Sequence, residues 1–235
     1  MAGLVPAIHV FVSDRHVDAR PHSRRPEAAP GAGVTERTLQ PHSIDGLKAD
    51  IRRTAAARRD ALPPDDRAAA AATIAKRPLP VTVAAGAIVS GFSPLKSEIN
   101  PVPLMRVFAA TGAQLALPVV MGKGKPLTMR AWAFGEPLVS GVWGIREPPP
   151  EAPEVFPDIL IVPLLAFDRA GHRIGYGAGY YDMTIARLRG MKKVIAIGIG
   201  YAAQEIAEVP VTPRDAALDL VLTEREVIDL RKSAR

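Results

Sequence analysis

The sequence predicts an α/β domain whose sheet is mostly parallel and covered by helices on both faces. Three observations predict it. Short apolar runs of strand length alternate with segments whose apolar residues recur at helical spacing. The run Asp158-Ile159-Leu160-Ile161-Val162-Pro163 is continuously apolar between its ends, as in a strand buried on both faces. The chain has 235 residues, 48% hydrophobic and 23% charged, which is enough to bury such a sheet in a single domain and is unlike disordered, collagen or coiled-coil composition.

Residues 1–43 come first and lack apolar periodicity. Pro, Arg and His alternate there, and His9, His16, His22 and His42 are four of the five histidines of the chain. This segment is expected to be disordered or an over-extension of the reading frame, dispensable for the domain at 44–235. Its apolar start contains Pro6 and His9 and has no basic stretch before it, so it reads poorly as a signal peptide. From Ser43 the pattern changes. Ser43 can cap a helix whose apolar positions Ile44, Leu47, Ile51 and Ala55 share one face. A second helix is expected from Pro64 and Asp65 to Lys76, a strand at 86–92, a helix at 102–110 and strands at 114–120 and 127–134. A proline-rich connection at 148–157 leads into the strand at 158–163. A helix at 180–189, strands at 194–199 and 218–222, and a closing helix at 224–230 complete the domain. Strands separated by helices of this length imply a largely parallel sheet covered on both faces, a Rossmann-like three-layer α/β/α arrangement.

Composition excludes several chemistries. There is no cysteine, which removes disulfides, thiolate zinc sites and cysteine nucleophiles, and fits a reducing cytoplasm. The folded part holds a single histidine, His172, so a two-histidine metal site is excluded there. No apolar run reaches the ~18 residues of a spanning helix, so no membrane partner is expected. Neither a Gly-x-Ser-x-Gly elbow nor a Walker loop occurs. Any metal must then be held by oxygen, which favours Mg²⁺ beside a phosphate. The net charge of +6 suits a polyanionic partner, yet aromatics are 5% and no basic run interleaves with stacking rings, so nucleic acid is not expected.

One segment carries chemistry. After the strand at 158–163 comes Phe167-Asp168-Arg169-Ala170-Gly171-His172-Arg173-Ile174-Gly175-Tyr176-Gly177-Ala178-Gly179-Tyr180-Tyr181-Asp182, which opens a helix. Glycines at alternate positions let the backbone approach a ligand closely. Amides at a helix N-terminus favour phosphate there. Arg173 adds a planar cation able to bind two phosphate oxygens, and Asp182 in the first turn could hold Mg²⁺ against the same phosphates. The same residues also fit a plain strand-to-helix turn with a favourable first-turn acid. His172, beside Gly171, reads as a turn residue and not as a base.

The block Phe-Asp-x2-Gly-x-Arg-Ile-Gly-Tyr-Gly-x-Gly-Tyr-Tyr-Asp closely resembles the signature of the 5-formyltetrahydrofolate cyclo-ligase, or methenyltetrahydrofolate synthetase, family, and the resemblance extends over about residues 44–230. It implies ATP- and Mg²⁺-dependent conversion of 5-formyltetrahydrofolate to 5,10-methenyltetrahydrofolate with release of ADP and phosphate. It further implies that Arg173 and Lys48 are catalytic, and that Lys48, Arg52, Arg173, Ile174, Gly175, Tyr176, Gly177, Ala178, Gly179, Tyr180 and Tyr181 bind ATP. Ser93, Glu98, Trp143 and Tyr176 would bind the reduced folate, and Asp182 and Asp215 the Mg²⁺. Ala178, Pro101 and Arg214 depart from the family pattern.

Taken singly, these residues have plainer readings. Lys48 and Arg52, with Arg53, Arg58 and Arg59, fit a solvated basic face. Glu98 fits a surface acid, Trp143 core packing, and Asp215 a turn cap after Pro213. Their joint order along the chain favours the functional reading. The expected partners are therefore ATP and a reduced folate, on a cytoplasmic monomer. The alternative is a nucleotide-, folate- or RNA-binding protein of the same fold without turnover.

Overall fold

Residues 43–231 are described by the structure, a computed structural model of the chain. Apart from Ser43, the expectation of a disordered or over-extended segment at 1–43 lies outside the described residues. The first two helices are α1 (Ile44–Asp60) and α2 (Pro64–Lys76), followed by β1 (Ile88–Ser90), α3 (Val102–Ala110), β2 (Gln114–Val119) and β3 (Thr128–Ala131). Next come the short β4 (Val139–Ser140) and β5 (Arg146–Glu147), then β6 (Ile159–Pro163), β7 (Ala166–Phe167) and β8 (Arg173–Ile174). Helix α4 (Tyr180–Met191) precedes β9 (Ile195–Ile199), β10 (Leu220–Leu222) and β11 (Val227–Asp229).

Seven of these strands form one sheet in the order β11-β10-β9-β6-β1-β2-β3. The five central strands are parallel, and β3 and β11 run antiparallel at the two edges. The sequence expectation of a mostly parallel, covered sheet is met. Alternation along the central strands accounts for the layers. Ile159 and Ile161 pack on one face with Ala71 and Ile74 of α2 and Leu104, Met105 and Phe108 of α3. Leu160 and Val162 point to the other, against Ile185 and Leu188 of α4. Burying each such side chain contributes about 1.5–3 kcal/mol, so the apolar run of β6 anchors both layers at once.

Helix α1 sits apart from these layers. The Ser43 hydroxyl accepts from the Gly46 amide at 3.2 Å, capping it as expected. Ile51 and Ala55 on its buried stripe pack on Leu165, Ala166 and Ile174, so α1 lies on the β7–β8 hairpin that follows the central strand.

Three expectations are corrected. The closing helix at 224–230 is instead β11, because Val227 packs toward one layer while Ile228 and Leu230 pack toward the other. That is a period of two, and the sheet edge overrides the helical propensity of Glu224, Arg225 and Glu226. The strand at 86–92 is reduced to Ile88–Ser90, and the one at 127–134 to Thr128–Ala131, which turns back antiparallel on β2. Among the described residues no helix is long and apolar enough to cross a membrane.

Candidate active site

In the sheet order β1 lies beside β6, while β2 follows on one side and β9 and β10 on the other, so the connections diverge between β1 and β6. In such sheets ligands bind beyond the carboxyl ends of the strands at this divergence. The loop after β1 carries Ser93, Ser97 and Glu98. The chain after β6 makes the β7–β8 hairpin, which delivers Arg173 to the glycine loop.

Asp168 builds that hairpin. Its carboxylate, 3% exposed, accepts from the amides of Ala170, His172 and Val209 at 2.9 to 3.0 Å and lies 3.1 Å from Nδ1 of His172. Burial alone would raise the Asp168 carboxyl, but the Val209 and His172 amides and the His172 ring outweigh it and hold it below the usual range. His172 is thereby a turn residue, as expected.

Beyond the hairpin, the glycine loop lies against α1. Arg52 Nε donates to the Gly175 carbonyl at 3.0 Å. Gly177 has φ +103°, and a Cβ there would stand 3.2 Å from the Arg52 guanidinium carbon, so only glycine fits both the dihedral and the contact. Gly179, at φ 70°, caps α4 in the left-handed conformation and turns the first amides of that helix toward the loop. The cations expected for phosphate sit around it in pairs with the carboxylates expected for metal. Arg173 Nη2 donates to Asp182 Oδ1 at 2.8 Å, and Lys48 Nζ to Asp215 Oδ2 at 2.5 Å. The two pairs are linked through the residue that follows Asp215: the Ala216 amide donates to Asp182 Oδ1 at 3.1 Å and the Ala216 carbonyl accepts from Arg173. Burial would raise Asp215, but Lys48 and the Thr212 amide and hydroxyl hold it below the usual carboxylate range.

Asp182 and Asp215 have the donor chemistry of Mg²⁺ ligands. Both are hard carboxylates from distant parts of the chain joined through one peptide unit, and in each pair the second oxygen is left over from the ion pair. Among the described residues no group of three or more His, Cys, Asp or Glu could hold a metal. The set therefore fits Mg²⁺ shared with phosphate oxygens and water, and does not fit a free-standing metal site.

At the other end stands Glu98. Its side chain is buried, its Oε2 accepts from the Leu95 amide at 2.7 Å, and Arg59 Nη1 lies 3.9 Å from Oε1. Burial pushes the Glu98 carboxyl up, against the Leu95 amide, the Arg59 guanidinium and the Tyr176 hydroxyl. The surface-acid reading of Glu98 is therefore not met. Trp143 is 67% exposed in a turn with φ 58°, its ring centroid 6.2 Å from that of Tyr180, so it is no core residue. Ser93 donates to the Arg146 carbonyl, tying the loop after β1 to the Trp143 turn. Tyr176, in the glycine loop, is 51% exposed. The Tyr181 hydroxyl is buried without a partner, and burial pushes that phenol up.

Sequence reasoning missed Arg59, whose inclusion in a solvated basic face is corrected: it is 1% exposed. The signal was present, since Lys48, Arg52, Ala55 and Arg59 follow one another at i, i+4, i+7 and i+11 on a single stripe of α1. Arg53 and Arg58 lie off it. Of the departures from the family pattern, Ala178 and Arg214 are exposed and Pro101 precedes α3.

The family model for the 5-formyltetrahydrofolate cyclo-ligase family matches residues 45–224. A 5-formyltetrahydrofolate cyclo-ligase of Mycolicibacterium smegmatis is 35% identical over 160 residues, covering 62% of this chain and 78% of the relative. A mitochondrial 5-formyltetrahydrofolate cyclo-ligase of Arabidopsis thaliana is 31% identical over 144 residues, covering 53% of this chain and 52% of the relative. The solved structure of an Aquifex aeolicus 5,10-methenyltetrahydrofolate synthetase superposes with a TM-score of 0.66 at 28% identity, over 79% of this chain and 93% of that one. With the glycine-loop block intact and the match running from α1 to the start of the β10–β11 turn, this chain belongs to the 5-formyltetrahydrofolate cyclo-ligase family.

Proposed function

We propose that the protein converts 5-formyltetrahydrofolate to 5,10-methenyltetrahydrofolate with consumption of ATP in the presence of Mg²⁺, releasing ADP and phosphate. The observation that carries this reading is the junction of two kinds of surface. The glycine loop, held by Arg52 and flanked by the Arg173–Asp182 and Lys48–Asp215 pairs, carries Tyr176, whose hydroxyl reaches Arg59 beside the buried Glu98, and leads into α4, where the exposed Trp143 stands against Tyr180. Phosphate chemistry suits the first, and a flat, polar heterocycle the second.

The reaction explains the residue types. A formyl oxygen is a poor leaving group, so it first attacks the γ-phosphorus of ATP and ADP departs. N10 then attacks the activated formyl carbon and loses its proton. Phosphate leaves with the former formyl oxygen, closing the ring as a methenyl bridge. Such transfer depends on positioning and charge neutralisation more than on a protein nucleophile. That fits a chain without cysteine whose one folded-part histidine is consumed by a turn.

Lys48, Arg52 and Arg173 would neutralise the triphosphate, with the backbone from Ile174 to Tyr181 cradling it. Asp182 and Asp215 would hold Mg²⁺, which when bound neutralises phosphate charge. Glu98 and Ser93 would bind polar edges of the pterin, and Trp143 and Tyr176 its faces. The test is product absorbance with 5-formyltetrahydrofolate, ATP and Mg²⁺, and with ATP or Mg²⁺ omitted. Methenyl product formed only in the complete mixture is expected; its absence there would overturn the reading.

A further inference from the structure

Arg59 has a place in the fold that neither the glycine loop nor the loop after β1 explains alone. Its guanidinium is fully buried, and moving such a cation out of water costs several kcal/mol unless its donors are met. Two of the three nitrogens are. Nε donates to Ser97 Oγ at 2.9 Å, and Nη2 donates to the Tyr176 hydroxyl at 3.0 Å. Nη1 has no hydrogen-bond partner, and Glu98 Oε1 lies 3.9 Å from it.

These three arms reach different parts of the site. Ser97 and Glu98 belong to the loop after β1. Tyr176 belongs to the glycine loop, and its exposed ring is held from beneath, 5.9 Å from the Arg59 guanidinium carbon. The base of the fork is held in turn: Ser97 Oγ donates to the Asp60 carboxylate, and the Tyr201 hydroxyl donates to the Ser97 carbonyl at 3.3 Å. One rigid, planar group thus bridges two loops, with one donor left short of its acceptor.

We propose that Arg59 is a positioning residue that couples the two halves of the site, so that settling of the glycine loop on a nucleotide moves Tyr176 and, through Arg59, sets Glu98 for the reduced folate. The inference rests on the functional reading above for which ligand takes which half. The slack is small. A shift of about 1 Å brings Nη1 within charge-assisted hydrogen-bond range of Glu98. A closed pair keeps Glu98 ionised, opposing the burial that pushes its carboxyl up. The other groups facing Glu98 are the Leu95 amide and the phenols of Tyr176, Tyr181 and Tyr201, none of which carries a positive charge. Arg59 is therefore the cation through which the setting of Glu98 can change. Coupling of this kind is reciprocal: each ligand must tighten the other by the same factor.

The experiment is titration calorimetry on the full chain with Mg²⁺, using 5-formyltetrahydrofolate and the β,γ-imido analogue of ATP, each alone and with the other saturating. Wild-type protein should bind each ligand about 5- to 10-fold more tightly in the presence of the other. Tyr176→Phe keeps the ring and removes the oxygen that Arg59 reaches and that also acts on Glu98; it should bring the factor close to 1. Arg59→Gln should do the same. The factor is a ratio, so general loosening that weakens both ligands alike cancels from it. Arg59→Lys keeps the cation but cannot span Ser97, Tyr176 and Glu98 together; it should lower the factor too, and it decides between Arg59 and a direct Tyr176–Glu98 contact if Arg59→Gln fails to fold. Independent binding by wild-type protein, or an unchanged factor in Tyr176→Phe, overturns the coupling. Failure of wild-type protein to bind either ligand overturns the functional reading instead.

Discussion

Lys48 and Asp215, 167 residues apart in sequence, meet at 2.5 Å between Nζ and Oδ2. The contact pins the first helix of the domain to the loop before β10. With the Arg173–Asp182 pair beside it, it places two cations and two carboxylates in alternation around the glycine loop. Such a set is charge-balanced without ligand. On the proposed function it would divide on binding, the cations turning to phosphate and the carboxylates to a metal, with little change in buried charge.

Arg173→Ala should lower kcat severely while the fold persists. Loss of one donor aimed at transferring phosphate oxygens costs about 3 kcal/mol, or roughly a hundredfold in rate. Steady-state kinetics with circular dichroism as a fold check measures it. An unchanged kcat with a raised KM for ATP would assign Arg173 to uniform binding of ground and transition states.

Asp182→Asn and Asp215→Asn should each raise the Mg²⁺ concentration for half-maximal rate by about tenfold or more, and the double variant should show less than the sum, because the two share one ion. Rate against Mg²⁺ concentration for the three variants checks this. Unaltered dependence in both single variants would return the aspartates to a purely structural role.

Trp143→Gly separates function from stability. The ring is mostly exposed, and its left-handed backbone costs a non-glycine residue about 1–2 kcal/mol. Stability by denaturant titration should therefore stay within about 1 kcal/mol of wild type, since relief of the backbone offsets the added freedom of the unfolded chain. The KM for 5-formyltetrahydrofolate should rise.

Asp168 gives the pH dependence of stability. Its carboxyl is lower in the folded than in the unfolded chain, so its contribution is present above about pH 4 and is lost as pH falls through the folded value. Asp168→Ala leaves the Ala170, His172 and Val209 amides without that acceptor. It should cost about 1–3 kcal/mol or more at neutral pH and less in acid. Equal destabilisation at neutral and strongly acid pH would contradict the assignment.

The central sheet was legible because fully buried strands are written as unbroken apolar runs, as at 158–163, and the glycine loop because its residue types have few other uses together. What stayed hidden depends on neighbours far along the chain. Val227, Ile228 and Leu230 look helical until β10 supplies an edge to pair with. Asp168, read only as part of a motif, is fixed by an amide 41 residues away. Arg59 is indistinguishable in type from Arg58, and only the angular position of each on α1 separates the buried residue from the exposed one.

That helix also acts as a ruler. Lys48 and Arg59 are eleven residues apart, about three turns and roughly 16 Å at 1.5 Å per residue. This fixes the distance between the Lys48–Asp215 pair and the Arg59–Glu98 contact without any loop to adjust it. One residue inserted between them would lengthen the span only slightly but rotate everything beyond it by about 100°. Arg59 would swing off the buried stripe, and so would the Ser97 and Tyr176 contacts that depend on it. Substitutions along the outer face of α1 are therefore cheap, whereas a single insertion or deletion between Lys48 and Arg59 is not. The span is constrained in length more tightly than in composition.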